Sequence, residues 1–430
     1  MRHIYLINKG ENRSSQYGIG TYIREIVRCI SDCEGLRLTW VWLETKVNEF
    51  TVEQVESGRV RILKFPVAGT GRFQEEKRLS RNIAYMLTLH TDARECNIFH
   101  FNHQNNMYLV DEIRRLLPAC KMVTTIHYLD WCFGLKGNTE RFHSILNRKG
   151  ESSSFEKNVY TIFKFEQKFF EKMDAVFCLS RYIREVLVED YRLPADKLIL
   201  VYNGIRNEYR QLNGREWLDK RLFYGFTRSQ KILLFVGRLD EGKGVEFLIE
   251  AFRRILNRMP EAHLLIAGDG DYDTCLKASA DIWSRITYTG KVGKETLYDF
   301  YRIADIGVMP SFLEQCSYVA IEMMMHGLPI VGTDSTGLSE MLLPECRVGF
   351  IRDRGEEYVI DTEALSNKIL DLLNDPIKRQ LIGKIYRDRF HEKYIYADMM
   401  DRIKNVMKTY EYIYNYNIFV ERITLKGFSV

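Results

Sequence analysis

Two acidic residues that could bind hydroxyl groups lie eight positions apart in the second half of the chain. Glu314 lies in a polar stretch after Pro310 and Ser311, whereas Glu322 lies within the apolar run that follows, before Gly327. The run predicts a largely buried helix, and a carboxylate inside such a helix needs a polar partner. Ribose hydroxyl groups would supply that partner, so we interpret the two residues as part of a sugar-binding site.

Two basic residues that could bind phosphate lie five positions apart, at Arg238 and Lys243. They lie in the glycine-containing loop 237–244, between an apolar strand pattern and an amphipathic helical pattern. Arg offers planar hydrogen bonding and Lys offers a compact charge, and together they suit a diphosphate. A solvated turn whose cations face water fits the same pattern, and position alone does not choose between the two interpretations.

A glycine loop near the amino terminus could bring the backbone close to an anion. Gly18 and Gly20 lie between the predicted strand 3–7 and an amphipathic helix. Glycine permits close approach of a ligand, and a helix N-terminus favours negative charge. The dinucleotide fingerprint G-x-G-x-x-G is incomplete, because Ile23 occupies the place of its third glycine. A simple turn from loop to helix therefore explains this stretch equally well.

The elements that must position these residues follow one pattern along the chain. Short apolar runs alternate with longer helical patterns, which is typical of parallel α/β sheets. Strands are predicted at 3–7, 37–43, 59–65, 98–101, 121–126, 174–179, 197–202, 231–237, 262–268, 286–289, 306–309, 329–332 and 347–351. In doubly wound sheets, ligands bind beyond the carboxyl ends of the strands.

The same alternation predicts two Rossmann-like domains that face each other across a cleft. A turn pattern at Asn203 and Gly204 ends the first series of strands, and a second series begins at Lys231. We therefore predict an N-terminal domain over 1–205, joined by the C-terminal segment 396–430, and a C-terminal domain over 206–395. The site is expected in the cleft between them.

Composition and charge exclude several classes of protein. The chain has 62 Lys and Arg against 58 Asp and Glu, which argues against binding to nucleic acid. Nine cysteines without a C-x-x-C pair indicate a reducing compartment. No stretch approaches the roughly 18 apolar residues of a membrane-spanning helix. We expect a cytoplasmic protein, and the sequence leaves open whether it touches the inner face of the membrane.

Taken together, the motifs resemble glycosyltransferase family 4, whose members are retaining enzymes of the GT-B fold. They read G-R-x4-K-G from Gly237, then P-S-x2-E-x7-E from Pro310, then G-x-P-x-V from Gly327. Supporting pieces occur in the expected order across nearly the whole chain. They are Tyr17-Gly18-Ile19-Gly20, Thr125-Ile126-His127, Ser180 and Val201-Tyr202-Asn203-Gly204.

The resemblance implies a role for each matching residue of the second half. Arg238 and Lys243 would bind the diphosphate of the donor, and Glu322 would accept hydrogen bonds from its ribose. Glu314 would hold hydroxyl groups of the donor sugar and its phosphate, together with neighbouring backbone amides. The residues implied to contact the donor beside these are Gly237, Gln315, Cys316 and Ser317.

In the first half, the resemblance implies that Gly18 and Gly20 line the phosphate and that His127 faces the reacting sugar. The sequence departs from the family pattern at Tyr17, at Ser317 and at Thr336, where glycine is frequent. These departures bear on the identity of the donor more than on activity. The residues expected to be catalytic are Arg238, Lys243, Glu314 and His127.

The implied activity is transfer of a hexose or N-acetylhexosamine from a nucleoside diphosphate sugar to a hydroxyl acceptor with retained configuration. A UDP-sugar is favoured because nothing in the sequence marks a guanine pocket. The acceptor would be a carbohydrate, a lipid-linked molecule or a peptide, and no metal or other cofactor is expected beside the nucleotide sugar. The alternative is a non-catalytic GT-B subunit that binds or chaperones an active glycosyltransferase. The intact motif residues argue against that alternative.

Two further patterns could indicate metal ligands. Asp269 and Asp271 form a D-x-D sequence, but turn-forming residues surround it, so we predict an ordinary loop. His100 and His103 lie close together without an evident third ligand. They are expected either to line the cleft at a strand end or to be hydrogen-bonded loop histidines. The sequence therefore predicts no metal site.

Overall fold

The computed structural model describes residues 2–10, 18–31, 33–55, 60–67, 73–148, 150–352 and 358–410. These residues form two compact units. The first unit comprises the described parts of Met1–Leu129, Tyr160–Val201 and Ala397–Val430, and the second comprises those of Asp130–Val159 and Tyr202–Tyr396. Each unit combines helices with a sheet of mainly parallel strands, which is the α/β class that the sequence predicts.

The observed division differs from the predicted one at its first boundary and in residues 130–159, and by one residue at the return to the first unit, which begins at Ala397. The chain passes from one unit to the other between Val201 and Tyr202 rather than after residue 205, and residues 130–159 belong to the second unit. Backbone packing accounts for the second difference. A Cβ atom on Gly137 would lie only 2.7 Å from the carbonyl oxygen of Phe312, so these two stretches are in direct contact.

In the described part of the first unit, eight strands form one sheet in the order β3-β4-β2-β1-β5-β6-β7-β8. Neighbouring strands are parallel except β3 and β4, which are antiparallel. The central strand β1 reads as a nearly continuous buried run, as expected for a strand covered on both faces. The strands are β1 Arg2–Lys9, β2 Leu36–Thr45, β3 Thr51–Val55, β4 Val60–Pro66, β5 Cys96–Phe101, β6 Lys121–Ile126, β7 Ala175–Cys178 and β8 Leu198–Leu200.

Amphipathic helices connect these strands. In α1, Ile19, Tyr22, Ile23 and Ile26 recur at helical spacing and are buried, so this face of the helix packs into the core. A further helix over 396–410 follows the second unit. The other helices with residues in this unit are α1 Gly18–Ser31, α2 Phe73–Thr88, α3 Met107–Leu116, α6 Ser154–Glu171 and α7 Arg181–Glu189.

The second unit contains a six-stranded parallel sheet and a two-stranded antiparallel one among its described residues. The strands are β9 Lys231–Val236, β10 Ala262–Ala267, β11 Ile286–Gly290, β12 Ile306–Met309, β13 Ile330–Thr333, β14 Arg347–Val348, β15 Phe350–Arg352 and β16 Tyr358–Ile360. The helices are α4 Trp131–Gly134, α5 Thr139–Leu146, α8 Gly214–Phe223, α9 Val245–Leu256, α10 Tyr272–Ala278, α11 Lys294–Ile303, α12 Tyr318–Met325, α13 Leu338–Met341, α14 Thr362–Asn374 and α15 Pro376–Lys393.

The order of the six strands determines where this unit can bind a ligand. The order β11-β10-β9-β12-β13-β14 reverses direction between β9 and β12, which is the strand order of a Rossmann sheet. Ligands bind at such a reversal, beyond the carboxyl ends of the strands. The loops 237–244 and 310–317 leave β9 and β12 at this place.

Across the described residues, no helix is both long enough and apolar enough to cross a membrane.

Candidate functional site

The loop after β9 is packed directly against the loop after β12. Gly244 ends the loop with φ of 64° and caps the N-terminus of α9. A Cβ atom at this position would lie 2.1 Å from the carbonyl oxygen of Pro310, so only glycine fits. The amide of Phe312 also donates a hydrogen bond to the carbonyl of Gly242, at 2.9 Å. The two loops are therefore held as one surface.

This packing brings together two of the predicted catalytic residues. Lys243 and Glu314 form an ion pair between Nζ and Oε1, and the hydroxyl of Ser311 donates to the same oxygen at 3.2 Å. The Lys243 side chain is 21% exposed and that of Glu314 is 13% exposed, so water and a ligand can still reach the pair. The predicted cation is thus paired with the predicted acid.

Arg238 is also paired with a nearby carboxylate. Its guanidinium Nη2 lies 3.0 Å from Oδ2 of Asp240, and both side chains are about one-third exposed, at 35% and 37%. The neighbouring Gly237 donates its amide to the carbonyl of Ala267 at 3.1 Å. The amide of Gly237 therefore already has a partner at the sheet edge. The loop offers a ligand two cations whose present partners are solvent-accessible carboxylates.

The backbone of the loop after β12 is fixed by the turn at Thr336 and Gly337. The Thr336 hydroxyl accepts from the amide of Glu314 at 2.9 Å and donates to its carbonyl at 2.5 Å. The amide of Gly337 donates to the same carbonyl at 2.8 Å. A Cβ atom on Gly337 would lie 2.0 Å from the carbonyl oxygen of Gln315. The unusual threonine of this sequence therefore positions Glu314.

The three residues that follow Glu314 are buried and lead into α12. Asn203 donates its side-chain amide to the carbonyl of Cys316 at 2.6 Å, and burial raises the pKa of the Cys316 thiol. Ser317 is the N-cap of α12, where its hydroxyl accepts from the amide of Ala320 at 3.5 Å. This capping role gives a physical reason for serine at a place where the family frequently has glycine. Gln315 is buried in the same loop.

Glu322 has a protein partner that the sequence analysis missed. The hydroxyl of Tyr301, a fully buried residue of α11, donates to Oε2 of Glu322 at 2.8 Å. Burial raises the pKa of Glu322 to about 7, although this hydrogen bond and the charge of Lys294 act in the opposite direction. One carboxylate oxygen is therefore held by tyrosine. Tyr301 lies on the apolar face of a predicted helix, where nothing distinguishes it from a core residue.

The remaining predicted residues lie in the first unit. Gly18 is exposed at the start of α1 and Gly20 is buried within it. His127 follows β6 directly, and its Nε2 lies 3.1 Å from Oδ1 of Asn102. The ring of Tyr22 meets the ring of His127 edge-on, with centroids 4.8 Å apart. Tyr17, which belongs to the predicted motif of Gly18 and Gly20, lies outside the described residues.

The two other histidines are hydrogen-bonded within the first unit. His100 is fully buried inside β5, where its Nε2 lies 2.7 Å from the hydroxyl of Thr125, so it is a core residue rather than a loop residue. His103 is buried at the end of that strand, with its two nitrogens 3.0 Å from Asn8 Oδ1 and 3.2 Å from the Tyr128 hydroxyl. Within the described ranges, no group of three potential ligands could hold a metal ion.

The D-x-D sequence has ordinary turn roles in the second unit. Asp271 is the N-cap of α10 and accepts from the amide of Thr274 at 3.1 Å. Asp269 accepts from the amide of Gly270 at 2.9 Å. Both carboxylates therefore stabilise the loop between β10 and α10, as the sequence predicts.

Comparison with known families finds two matching models, one for each half of the chain. Residues 17–209 match the model described as Glycosyltransferase Family 4. Residues 230–375 match the model described as Glycosyl transferases group 1. The second match contains Arg238, Lys243, Glu314 and Glu322, and the first contains His127.

Curated relatives are similar over part of their length. An uncharacterized glycosyltransferase of Methanocaldococcus jannaschii is 30% identical over 241 residues, which cover 54% of this chain and 59% of the relative. A GDP-mannose-dependent phosphatidylinositol monomannoside mannosyltransferase of Corynebacterium glutamicum is 26% identical over 193 residues, which cover 43% and 49%. The chain thus spans about half the length of these two relatives.

Solved structures share the fold along nearly the whole chain. Sucrose-phosphate synthase from Thermosynechococcus elongatus has a TM-score of 0.74 at 20% identity and covers 95% of this chain and 99% of its own. The Anabaena protein Alr3699/HepE, solved in complex with UDP, has a TM-score of 0.69 at 14% identity and covers 95% and 100%. These similarities confirm the predicted GT-B fold of two Rossmann-like domains.

The hydrogen bond from Tyr301 predicts how the Glu322 carboxyl titrates. Tyr301→Phe removes a donor to the charged form, so the pKa of Glu322 should rise further above about 7. A raised pKa stabilises the folded chain below the unfolded pKa near 4.5, and that stability is lost as the pH rises through the folded value. Carboxyl 13C NMR, with the Glu322 resonance assigned from Glu322→Gln, measures the shift directly.

Tyr288→Phe is the matched control for this measurement. Its hydroxyl lies 3.1 Å from the carbonyl of Cys275 and 3.0 Å from Ser279 Oγ in the same unit. The control should leave the pKa of Glu322 unchanged. An unchanged or lower Glu322 pKa in Tyr301→Phe would contradict the proposed effect of this hydrogen bond.

Proposed function

We propose that this chain, which belongs to the GT-B glycosyltransferases of family 4 and group 1, transfers a hexose or N-acetylhexosamine from a nucleoside diphosphate sugar to a hydroxyl acceptor. The observation that carries this proposal is the ion pair of Lys243 with Glu314, which lies at the carboxyl ends of the neighbouring strands β9 and β12. That place offers cations for a diphosphate and a carboxylate for sugar hydroxyl groups. It also lies at the N-terminus of α12, which favours an anion.

Donor binding exchanges the partners of the ion pair. A nucleotide sugar carries phosphate oxygens that can replace Glu314 at Lys243, and hydroxyl groups that can then donate to the released carboxylate. Arg238 can exchange Asp240 for phosphate in the same way, because both side chains are about one-third exposed, at 35% and 37%. Lys243, Glu314 and Arg238 would thus each have a partner in the donor complex, and the displaced Asp240 is exposed enough to be solvated.

The charge that develops during reaction falls on the leaving diphosphate. We propose that the bond from the anomeric carbon to the phosphate oxygen breaks while the acceptor oxygen bonds to that carbon on the same face. The acceptor proton passes to the departing phosphate oxygen. Lys243 and Arg238 stabilise the negative charge of the leaving group, which is a stronger interaction in the transition state than in the substrate. The product would keep the configuration of the donor.

We propose that Glu322 binds the ribose with the carboxylate oxygen that Tyr301 does not hold. Ribose hydroxyl groups change little during the reaction, so this contact sets affinity rather than rate. The base is proposed to be uracil, in line with the Anabaena structure in complex with UDP. The name of the Corynebacterium relative gives GDP-mannose as its donor, so guanine is the alternative to test.

The acceptor is proposed to be a carbohydrate, a lipid-linked molecule or a peptide that carries a free hydroxyl group. The proposed location is the cytoplasm, with contact to the inner face of the membrane if the acceptor is lipid-linked. The second candidate function is that of a non-catalytic partner of an active glycosyltransferase. The arrangement of Lys243, Glu314 and Glu322 favours catalysis, since a pure binding subunit has no need of all three.

Release of nucleotide tests the proposed function directly. The full chain should release UDP from a UDP-hexose or UDP-N-acetylhexosamine, and GDP- and ADP-sugars should be poorer donors. NMR coupling constants of the transferred sugar should show the anomeric configuration of the donor. Absence of turnover with every donor, together with capture of an active glycosyltransferase, would favour the non-catalytic candidate. Inversion at the anomeric carbon would remove the proposed same-face displacement.

Lys243→Ala and Glu322→Gln should affect different kinetic constants. Loss of an electrostatic donor to the transition state costs about 2.7–4 kcal/mol, so kcat of Lys243→Ala should fall by about 10²–10³. Glu322→Gln should raise the donor KM more than it lowers kcat, because it removes uniform binding.

Steady-state kinetics and a melting curve for each variant separate these effects from lost stability. Lys277→Ala, which removes an exposed lysine of α10, is the control and should match the wild type in both measurements. Silent kinetics in Lys243→Ala would show that the lysine is only a paired surface cation.

The proposed charge stabilisation by Lys243 and Arg238 predicts transfer without a divalent metal. Activity should survive EDTA, because the two cations occupy the place where a metal would neutralise the diphosphate. Asp269→Ala combined with Asp271→Ala should keep most of the activity, since these carboxylates stabilise a turn. Activity that is lost in EDTA and restored by Mn²⁺ would contradict this prediction.

A further inference from the structure

A buried asparagine lies beside the one predicted catalytic residue of the first unit. Asn102 follows β5 and His127 follows β6, and these strands are neighbours in the sheet. Asn102 is 1% exposed, so its side-chain amide must satisfy its hydrogen bonds within the protein. No sequence motif marks this residue.

The orientation of the Asn102 amide is fixed by the carbonyl of Ile7 in β1. The backbone N–H of Asn102 donates to this carbonyl at 3.2 Å, and Nδ2 donates to it at 3.3 Å. A carbonyl oxygen can only accept, so the NH2 end of the amide must face Ile7. The opposite orientation would place two acceptors against each other. Oδ1 is therefore the atom that faces His127.

The asparagine in turn selects the tautomer of the His127 ring. Oδ1 lies 3.1 Å from Nε2 of His127, and this oxygen can only accept, so Nε2 carries the proton. Burial, together with His103 and His100, holds the pKa of His127 well below its usual range, and the ring is neutral at physiological pH. In a neutral ring with Nε2 protonated, Nδ1 has the lone pair and accepts hydrogen bonds.

We propose that Asn102 is a positioning residue, which holds His127 in the Nε2–H tautomer so that Nδ1 accepts a hydrogen bond from a substrate hydroxyl. The neutral acceptor matches a sugar hydroxyl and does not attract phosphate. The identity of that hydroxyl rests on the proposed function, whereas the tautomer does not. A ring protonated at Nδ1 instead would donate to that hydroxyl, so the direction of the hydrogen bond would be reversed and the hydroxyl could no longer donate to the ring.

The amide is suited to this role in a way that a carboxylate is not. A carboxylate would also accept from Nε2, but its negative charge would stabilise the imidazolium and raise the pKa of His127. Asparagine fixes the proton without adding charge. The titratable groups that face His127 in the described residues are His100, His103 and Tyr22, and none of them supplies a negative charge at neutral pH.

Histidine 15N NMR of the full chain tests the tautomer without any substrate. The His127 resonances are assigned by their absence in His127→Gln. In the wild type, Nε2 should appear protonated and Nδ1 unprotonated. In Asn102→Leu the preference should be lost, and in Asn102→Asp it should be kept, with a raised His127 pKa. Retention of the wild-type tautomer in Asn102→Leu would overturn the proposal.

Asn97→Leu is the matched control for a buried asparagine of the same strand. Asn97 lies at the amino end of β5, is 6% exposed and donates to the carbonyls of Asp92 and Glu95 at 2.9 and 3.1 Å. Its loss should lower the melting temperature, as the loss of Asn102 should. Asn97→Leu should leave the His127 resonances and the kinetic constants of the folded protein unchanged. This result would separate a positioning role from an effect on stability.

Kinetics complete the test. Loss of a partner that orients a metal-ligating histidine costs about 10–100-fold, and we expect kcat/KM of Asn102→Leu to fall by a factor of this order. Asn102→Asp should recover activity at high pH and lose it as His127 protonates, with an acid limb that the wild type lacks. A shifted tautomer without a kinetic effect would overturn the positioning role. Full activity of His127→Gln would instead refute the proposed role of His127 and leave the tautomer assignment standing.

Discussion

Contact between two backbone loops positions the candidate catalytic residues of the second unit. Gly244 packs against the carbonyl of Pro310 at a distance that no side chain allows, and the contact joins the loops after β9 and β12. Lys243 lies beside that glycine and Glu314 lies in the second loop, so the contact sets their separation. The turn at Thr336 and Gly337 then holds the second loop from its other side. The ion pair is therefore a consequence of backbone geometry.

Much of this architecture could be predicted from the sequence, because it depends on local patterns. The predicted strands 231–237 and 262–268 nearly coincide with β9 and β10, since continuous apolar runs specify buried parallel strands. Glycine, lysine and glutamate at fixed spacing predicted the two loops of the site. The exposed edge strand β3 was not predicted, because its sequence is largely polar and its pairing with β4 defines it.

The residues that support the site could not be found in the same way. Tyr301 reaches Glu322 from another helix, and Asn102 reaches His127 from another strand. Neither has a motif, because a tyrosine or asparagine in a core pattern gives no indication of which distant group it meets. The placement of residues 130–159 in the second unit has the same cause. It depends on the contact of Gly137 with Phe312, which lies far away in the sequence.

The supporting contacts divide into those that a ligand can exchange and those that it cannot. Lys243–Glu314 and Arg238–Asp240 are ion pairs that keep contact with solvent, so a phosphate can replace one partner. For the more exposed Arg238–Asp240 pair the exchange costs little, because exposed pairs contribute about 0–1 kcal/mol. Tyr301 is buried and neutral, and breaking its hydrogen bond would leave a buried polar group unsatisfied.

Asn102 is also buried, and its amide is held by Ile7 as well as by His127. Contacts of this second kind are therefore expected to persist when substrate binds, and we propose that they fix the direction in which Glu322 and His127 present their acceptor atoms. The exchangeable pairs lie where the diphosphate is expected to leave. The permanent ones lie where hydroxyl groups are expected to be recognised. The charged groups can thus exchange their partners when a ligand binds, whereas the directions of the buried hydrogen bonds are fixed by the fold.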